Sequence, residues 1–148
     1  MSEVIGGLLD RRAVRLTERA RGRFEAVSRC GEVLVELGAV DPGYVDAMVD
    51  REHDISTFVG AGVAIPHATA AGMTYVKRDA LAVLRFSGPI DWAGAEVTMC
   101  VAIAARGDSH LELISDLADL LIDEESAAEL HRATEAEDVL RLLGVSVD

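Results

Sequence analysis

Cysteine is scarce in this sequence, and its few positions form no recognisable motif. Only two cysteines occur, Cys30 and Cys100, and neither belongs to a CxxC pair or to a Cys/His spacing typical of metal ligands. Disulfide frameworks and zinc sites need such pairs or clusters. We therefore expect two free, buried thiols in a reducing compartment, and hence a cytoplasmic protein.

Long hydrophobic runs and a basic N-terminal segment are also missing. The apolar runs are far shorter than the roughly 20 residues that a membrane-spanning helix requires. Glu3 stands where a secretory signal would carry basic residues, and the apolar patch after it is too short for a signal core. We expect no targeting signal and no direct insertion into a membrane.

Basic residues are the minority among the charged ones. The sequence has 14 lysines and arginines against 26 acidic residues, for a formal net charge of -12. Its basic residues cluster only between Arg11 and Arg23. We interpret this segment as a solvated helix entrance in preference to a contact surface for an acidic partner or lipid headgroups. Because a chain of this charge repels the phosphate backbone, nucleic acid is not an expected partner.

The length and overall composition of the chain are those of an ordinary compact protein. The 148 residues are 50% hydrophobic and 27% charged, which is enough to bury a core without disulfides. The length predicts one domain over residues 1–148.

Hydrophobic periodicity predicts two helices in the first third of the chain. Apolar residues recur at helical spacing from Phe24 onward until Gly38, a plausible C-terminal stop. Asp41 and Pro42 have the chemistry of an N-cap and a first helical position, and Arg51 lies near the end of this second helix. The residues that the second helix should bury are Tyr44, Ala47 and Met48.

Several apolar segments have the length and composition of buried strands. They are residues 13–16, 56–59, 63–65, 80–86 and 97–104. Ser87-Gly88-Pro89 is expected to end the fourth of them. Because helices precede, separate and follow these strands, we predict an α/β fold with a single mixed β-sheet flanked by helices on both faces, a three-layer α/β/α sandwich.

Three S/T-x-x-E patterns predict three short helices at the end of the chain. The pairs are Ser109 with Glu112, Ser126 with Glu129 and Thr134 with Glu137. The first pattern places His110 in the first turn of its helix. The apolar stripe of that helix is predicted to be Leu111, Ile114, Leu117, Ala118 and Leu121. The last helix should bury Val139, Leu140, Leu142 and Leu143.

The segment 60–67, Gly-Ala-Gly-Val-Ala-Ile-Pro-His, organises the rest of the chain. Its two glycines make a turn, its apolar residues make a short buried strand, and Pro66 restricts the backbone on both sides of itself. His67 therefore follows a strand end that has little backbone freedom, as is typical of a reactive side chain. Taken alone, however, a single histidine is more often structural than catalytic.

Few other residues are candidates for chemistry. Arg51 lies at the end of a helix, Ser56 and Thr57 begin a strand, and His110 lies at a helix N-terminus, where backbone amides and the helix dipole favour an anion. Arginine supplies a matching fork of donors. These groups suit a site that carries a phosphoryl group on an imidazole nitrogen, and the sequence shows no metal-ligand set beside them.

The order and spacing of these residues resemble a known family. The matching segments are Arg51-Glu52-x-x-x-Ser56-Thr57, Gly60-x-Gly62-Val63-Ala64-Ile65-Pro66-His67 and Gly107-Asp108-x-His110-Leu111. In this order they are similar to the type-2 EIIA domain of the phosphoenolpyruvate-dependent sugar phosphotransferase system (PTS), of the mannitol/fructose type. The likeness runs from Leu9 to the last helix.

The resemblance implies a phosphoryl carrier. His67, as a neutral imidazole, would accept a phosphoryl group from the phosphohistidine of the carrier protein HPr and pass it to a cysteine of a IIB component of a sugar permease. Arg51 and His110 would position and neutralise the phosphoryl group, and Thr57 would donate its hydroxyl to the imidazole or the phosphate. No cofactor and no metal are implied, and because neither cysteine lies in a glycine-rich loop, a free-standing IIA is expected.

One position departs from the family pattern. Ala68 follows the histidine, where the family usually has glycine. If that position needed a positive φ, alanine would cost about 1 kcal/mol or more. We expect a different loop shape rather than a loss of activity.

Other interpretations stay open at the level of sequence. Arg51 could only complement the dipole of its own helix, His110 could only cap one, and Thr57 could be an ordinary strand residue. The nitrogen-related IIA proteins share the histidine but act by phosphorylation-dependent binding, although the segment 107–112 looks more like the mannitol branch. An inert binding module would require that His67 be inaccessible. The sequence does not identify the sugar.

Overall fold

The computed structural model describes residues 7–144. Five strands form one sheet, namely β1 (Leu9–Glu18), β2 (Phe58–Gly60), β3 (Val63–Ala64), β4 (Ala80–Trp92) and β5 (Ala95–Ala104). The helices are α1 (Arg23–Glu36), α2 (Gly43–Asp54), α3 (Asp108–Leu121), α4 (Glu124–Arg132) and α5 (Ala136–Leu142), with a 3₁₀ helix at Ala70–Tyr75. No helix among residues 7–144 has the length and apolarity needed to cross a membrane.

The sheet is mixed, as predicted. Its strand order is β1-β4-β5-β3-β2. Strand β1 is parallel to β4, β3 is parallel to β5, and the other neighbouring pairs are antiparallel. Ala93 and Gly94 both have a positive φ in the turn between β4 and β5, as a two-residue hairpin turn requires.

Both faces of the sheet are covered. Every residue from Met99 to Ala104 on β5 is fully buried, and successive side chains of a strand point to opposite faces. Helix α1 packs against β4 and β5, α3 packs against β5, and α5 packs against β1. The predicted α/β sandwich is therefore confirmed, with both cysteines free and buried inside it.

The buried residues of the second helix were predicted correctly. Tyr44, Ala47 and Met48 are buried on α2. The proposed start of that helix was wrong by one residue, because Pro42 is the N-cap and the Asp41 side chain makes no capping bond. The backbone carbonyl of Asp41 accepts the N–H of Tyr44 instead, at 3.0 Å.

The prediction that Ser87-Gly88-Pro89 ends a strand was wrong. Strand β4 continues to Trp92, and its pairing with β5 shifts register between Arg85 and Ile90. A bulge of this kind accommodates a proline inside a strand, because the residues within it give up their ladder bonds. The remaining strands differ from their predicted limits only at the ends.

The predicted starts of the last three helices were displaced. The helix after β5 begins at Asp108 with Gly107 as its N-cap, and Ser109 donates its hydroxyl to Asp79 at 2.9 Å instead of capping. Helix α4 is capped by Asp123, which lies before Ser126. The capping box of α5 joins Glu135 to Asp138. In all three cases an acceptor or glycine nearer the true start supplies the cap.

The buried face of α3 also differs from the prediction. His110, Leu113, Leu117 and Leu121 are buried on this helix, whereas Leu111 is 71% exposed. Because His110 points inward, the next residue is rotated by about 100° and faces solvent. On the last helix, Val139 and Leu140 are buried, as is Leu143 just after it, while Leu142 is only partly covered.

Candidate active site

A pocket of about 490 Å³ opens where the ends of α2 and β5 and the start of α3 meet the segment after β3. Its lining combines two histidines and an arginine with apolar groups. These residues are Arg51, His67, Ala68, Thr69, Ala70, Met73, Gly107, His110, Leu111 and Ile114. Three of the four residues predicted for the site therefore meet in one pocket.

The backbone just before His67 is held by hydrogen bonds to two other segments. The N–H of Ile65 donates to the carbonyl of Thr57 at 2.9 Å, and the carbonyl of Pro66 accepts from the N–H of Ile103, also at 2.9 Å. The rigid mounting expected from the Pro66-His67 sequence is thus reinforced by pairing with β5. Little backbone freedom remains at the residue that precedes the histidine.

The imidazole of His67 is held in one tautomer. Its Nδ1 lies 2.8 Å from the carbonyl oxygen of Ile65, and because a carbonyl can only accept, Nδ1 carries the proton. Burial, together with the nearby Arg51 and His110, lowers the pKa of His67 to about 4, against the raising effect of the hydrogen bond to the Ile65 carbonyl. At neutral pH the ring is uncharged, and its Nε2 keeps a free lone pair.

His110 stands edge-on to His67. The two ring centroids are 5.1 Å apart at an interplanar angle of 72°. His110 lies in the first turn of α3, as predicted, and both burial and the charge of Arg51 lower its pKa. Its buried Nδ1 has no hydrogen-bond partner within the part of the chain that the structure describes.

Arg51 connects the pocket to the end of its own helix. Its Nη1 donates to the carbonyl oxygen of Ile55 at 2.6 Å, and Ile55 is the C-cap of α2. The side chain therefore complements the C-terminus of the helix and also lines the pocket, so the first of these roles does not exclude a role at the site. Its charge acts on both imidazoles.

Thr57 does not line the pocket. Its hydroxyl donates to Oε1 of Glu52 at 2.5 Å, and its N–H donates to Oε2 of the same carboxylate at 3.0 Å. Ser56 is occupied locally too, because its hydroxyl accepts the N–H of Phe58 at 3.1 Å. The structure thus brings Arg51, His67 and His110 together, while Thr57 faces a buried carboxylate.

Comparison with known proteins identifies the family of this fold and site. The sequence profile of the family described as "Phosphoenolpyruvate-dependent sugar phosphotransferase system, EIIA 2" matches residues 7–144. The chain belongs to this family. It is accordingly a phosphotransferase component of the EIIA type, and the resemblance of its motifs is confirmed.

Individual relatives of this EIIA chain agree with that assignment. It is 37% identical to a mannitol-specific phosphotransferase enzyme IIA component of Halalkalibacterium halodurans, over 93% of this chain and 94% of that one. A structure of enzyme IIAMTL with phosphorylated enzyme IIBMTL from Escherichia coli matches with a TM-score of 0.83 and 30% identity, covering 92% and 98% of the two chains. The nitrogen regulatory protein IIA-Ntr of Neisseria meningitidis matches with a TM-score of 0.82 and 26% identity, covering 95% and 99%.

Ala68 fits the site of this EIIA chain without backbone strain. Among the described non-glycine residues, only Ala61 and Ala93 have a positive φ, so the cost considered for alanine at position 68 does not arise. The steric restriction in this loop lies at Gly72 instead. A Cβ added at Gly72 would lie 2.5 Å from the Cβ of Ala47 and 2.9 Å from that of Ala68, so glycine is needed at position 72 rather than at position 68.

The rim of the pocket is apolar and exposed. Leu111 is 71% exposed, and Met73 and Ile114 line the same opening. His67 itself is 7% exposed, but it forms part of the wall of this open pocket. The condition for an inert binding module, an inaccessible His67, is therefore not met. Residues 7–144 contain no group of three or more His, Cys, Asp or Glu side chains that could hold a metal ion.

Sequence reasoning missed Glu52. Its side chain is 2% exposed and accepts a hydrogen bond from Nε1 of Trp92 at 2.9 Å in addition to those from Thr57. The only signal was its place beside Arg51 in the family motif. A glutamate near the end of an amphipathic helix is otherwise typical of a surface position.

Proposed function

We propose that this EIIA chain carries a phosphoryl group on Nε2 of His67, accepts it from phospho-HPr and passes it to a cysteine of a IIB component for mannitol uptake. The observation that carries the proposal is the state of His67. Its Nδ1–H donates to the Ile65 carbonyl, with 2.8 Å between nitrogen and oxygen, and its pKa is lowered to about 4, mainly by burial. Nε2 is therefore left as the nucleophile.

The first transfer is an exchange between two imidazoles. The Nε2 lone pair of His67 forms the new P–N bond while the bond to the donor nitrogen breaks and returns its electron pair to the donor ring. The proton of His67 stays on Nδ1 and is donated to the Ile65 carbonyl, and this hydrogen bond stabilises the positive charge that develops in the ring. In the second transfer a IIB thiolate attacks phosphorus, and the P–N electrons return to Nε2.

In this proposal, Arg51 and His110 neutralise the negative charge of the phosphoryl group. Both line the pocket, and phosphoryl transfer depends mainly on positioning and on stabilising the charge of the equatorial oxygens. Arg51 supplies a fixed positive charge and spare guanidinium donors. The pKa of His110 should rise when a phosphoryl anion arrives beside it, so that its ring can become a donor. Thr57 is not proposed as a donor, because its hydroxyl is bound to Glu52.

Mannitol and a IIB partner are proposed from the relatives. The enzyme IIA component of Halalkalibacterium halodurans is named as mannitol-specific, and the matching Escherichia coli structure is a complex with phosphorylated enzyme IIBMTL. The apolar rim around Leu111 suits a protein surface better than a sugar. We also propose a cytoplasmic location, where the buried thiols of Cys30 and Cys100 would stay reduced.

The test is phosphoryl transfer with purified components. Phosphoenolpyruvate, enzyme I and HPr should label the parent protein at one acid-labile, base-stable site, and His67→Ala should abolish the label. The labelled protein should then phosphorylate a mannitol IIB faster than a fructose IIB. Full labelling of His67→Ala would place the phosphoryl group elsewhere, and transfer to a fructose IIB alone would replace mannitol as the substrate.

A regulatory role is the second candidate. It is favoured by the similarity to IIA-Ntr of Neisseria meningitidis, which extends over 95% of this chain. In that case His67 would still be phosphorylated, but no IIB protein would accept the phosphoryl group. The same assay therefore separates uptake from regulation.

A further inference from the structure

Glu52 is a buried carboxylate with three hydrogen-bond donors around it. Oε1 accepts the hydroxyl of Thr57, while Oε2 accepts the N–H of Thr57 and Nε1 of Trp92. Burying a carboxylate is costly unless its oxygens are paired in this way. Glu52 does not line the pocket, so it cannot contact the phosphoryl group there.

A continuous series of hydrogen bonds leads from Glu52 to His67. Thr57, held by Glu52 through its N–H, offers its carbonyl to the N–H of Ile65 at 2.9 Å. Ile65 in turn offers its carbonyl to Nδ1 of His67 at 2.8 Å. The group that selects the tautomer of His67 is therefore itself held in place by the residue that Glu52 anchors.

The same carboxylate also joins three parts of the fold. Glu52 belongs to the last part of α2, Thr57 leads into β2, and Trp92 ends β4. Arg51 is the neighbour of Glu52 on α2 and lines the pocket. Fixing Glu52 against Thr57 and Trp92 therefore fixes the place from which Arg51 reaches the pocket, relative to the segment that carries His67.

We propose that Glu52 is a positioning residue that holds the Ile65 carbonyl against Nδ1 and so keeps His67 in the tautomer with a free Nε2. The consequence for phosphoryl transfer rests on the proposed function of His67. The consequence for the tautomer does not, because it concerns the unphosphorylated protein. A displacement on the order of 1 Å at a reacting group can slow a reaction by a hundredfold, so loss of this anchor has a measurable effect.

The experiment measures the imidazole ¹⁵N chemical shifts of His67 in histidine-labelled protein at pH 7.5, together with the rate of phosphoryl acceptance from HPr. Glu52→Leu fills the space but accepts no hydrogen bond. It should populate both tautomers of His67 and slow acceptance per folded molecule about tenfold or more. Glu52→Gln keeps one acceptor oxygen for the Thr57 N–H and should restore most of both properties.

Val27→Ala is the matched control. Val27 is fully buried on α1 and takes no part in the series of hydrogen bonds, so this variant loses stability without disturbing the anchor. It should keep the parent tautomer and the parent rate per folded molecule. A folded Glu52→Leu protein with the parent tautomer would overturn the proposal, and so would an equal tautomer change in Val27→Ala.

A second variant covers the case in which Glu52→Leu does not fold. Thr57→Val removes only the hydroxyl bond to Oε1 and leaves the backbone amide in place. It should shift the tautomer ratio in the same direction by a smaller amount, whereas an unchanged ratio in this variant would overturn the proposal. If the parent is not phosphorylated on His67, the proposed function fails, yet the tautomer measurement still decides the role of Glu52.

Discussion

The two imidazoles of the pocket are held in opposite ways. Nδ1 of His67 donates to a backbone carbonyl at 2.8 Å, and the two residues before His67 are hydrogen-bonded to Thr57 and Ile103. His110 lies beside it with a buried Nδ1 that has no partner among the described residues. The difference indicates two tasks: one ring presents a single nitrogen in a fixed direction, and the other can change its hydrogen bonding when charge arrives.

Removing the adaptable ring should have the largest effect of three changes that test this comparison. His110→Ala should leave the fold intact and slow phosphoryl acceptance roughly a hundredfold, like the loss of one preorganised donor. The measurement is single-turnover transfer from phospho-HPr, with circular dichroism to check the fold. A rate equal to that of the parent would show that His110 is only a structural residue of the first turn of α3.

The fixed ring should make stability depend on pH. The pKa of His67 is lowered to about 4 from the ordinary value of 6.5, so the unfolded chain binds a proton more readily than the folded one. The contribution of the neutral His67 to the free energy of unfolding is complete above pH 6.5 and is lost as the pH falls toward 4. When the pH is lowered from 7.5 to 5, protonation of His67 should lower the free energy of unfolding of the parent by about 2 kcal/mol.

His67→Gln isolates this contribution, because glutamine does not titrate. Urea unfolding of both proteins at pH 7.5 and pH 5 gives the difference directly. The parent should lose about 2 kcal/mol more than the variant between these two pH values. Equal losses would mean that the imidazole is not held neutral by burial.

Replacing the guanidinium of Arg51 by an ammonium group, which keeps the charge but changes the shape of the cation, should have the smallest effect of the three changes. Arg51→Lys keeps a donor that can reach the carbonyl of Ile55, but it loses the planar fork. Transfer should slow about tenfold, as expected for one lost hydrogen bond to a charged group. The unfolding free energy should change by less than about 0.5 kcal/mol. A less stable protein with full transfer per folded molecule would show that Arg51 is structural only.

The sequence was informative where the signal is local and periodic. The buried face of α2 and most of that of α1 follow from apolar residues at helical spacing, and β5 follows from a run rich in apolar and β-branched residues. The mounting of His67 follows from Pro66, which acts on its direct neighbours. Its meeting with Arg51 and His110 could be expected only through the resemblance to a family.

The errors arose where several neighbouring residues could each cap a helix, or where a residue far away in the sequence determines whether a side chain is buried. The pattern S/T-x-x-E near Ser109, Ser126 and Thr134 did not mark the true helix starts, because nearby acidic residues and a glycine cap these helices instead. Glu52 was missed because its burial depends on Trp92, which lies 40 positions away in the sequence. No local pattern contains that contact.

The central claim is that the phosphoryl group forms its bond with Nε2 of His67 while Nδ1 keeps its proton and donates it in a hydrogen bond to the Ile65 carbonyl. The most direct measurement is ¹⁵N and ³¹P NMR of histidine-labelled protein phosphorylated through HPr, which identifies the nitrogen coupled to phosphorus. We predict coupling to Nε2 of His67, with Nδ1 protonated both before and after transfer. Coupling to Nδ1, or to a nitrogen of any other residue, would contradict the account.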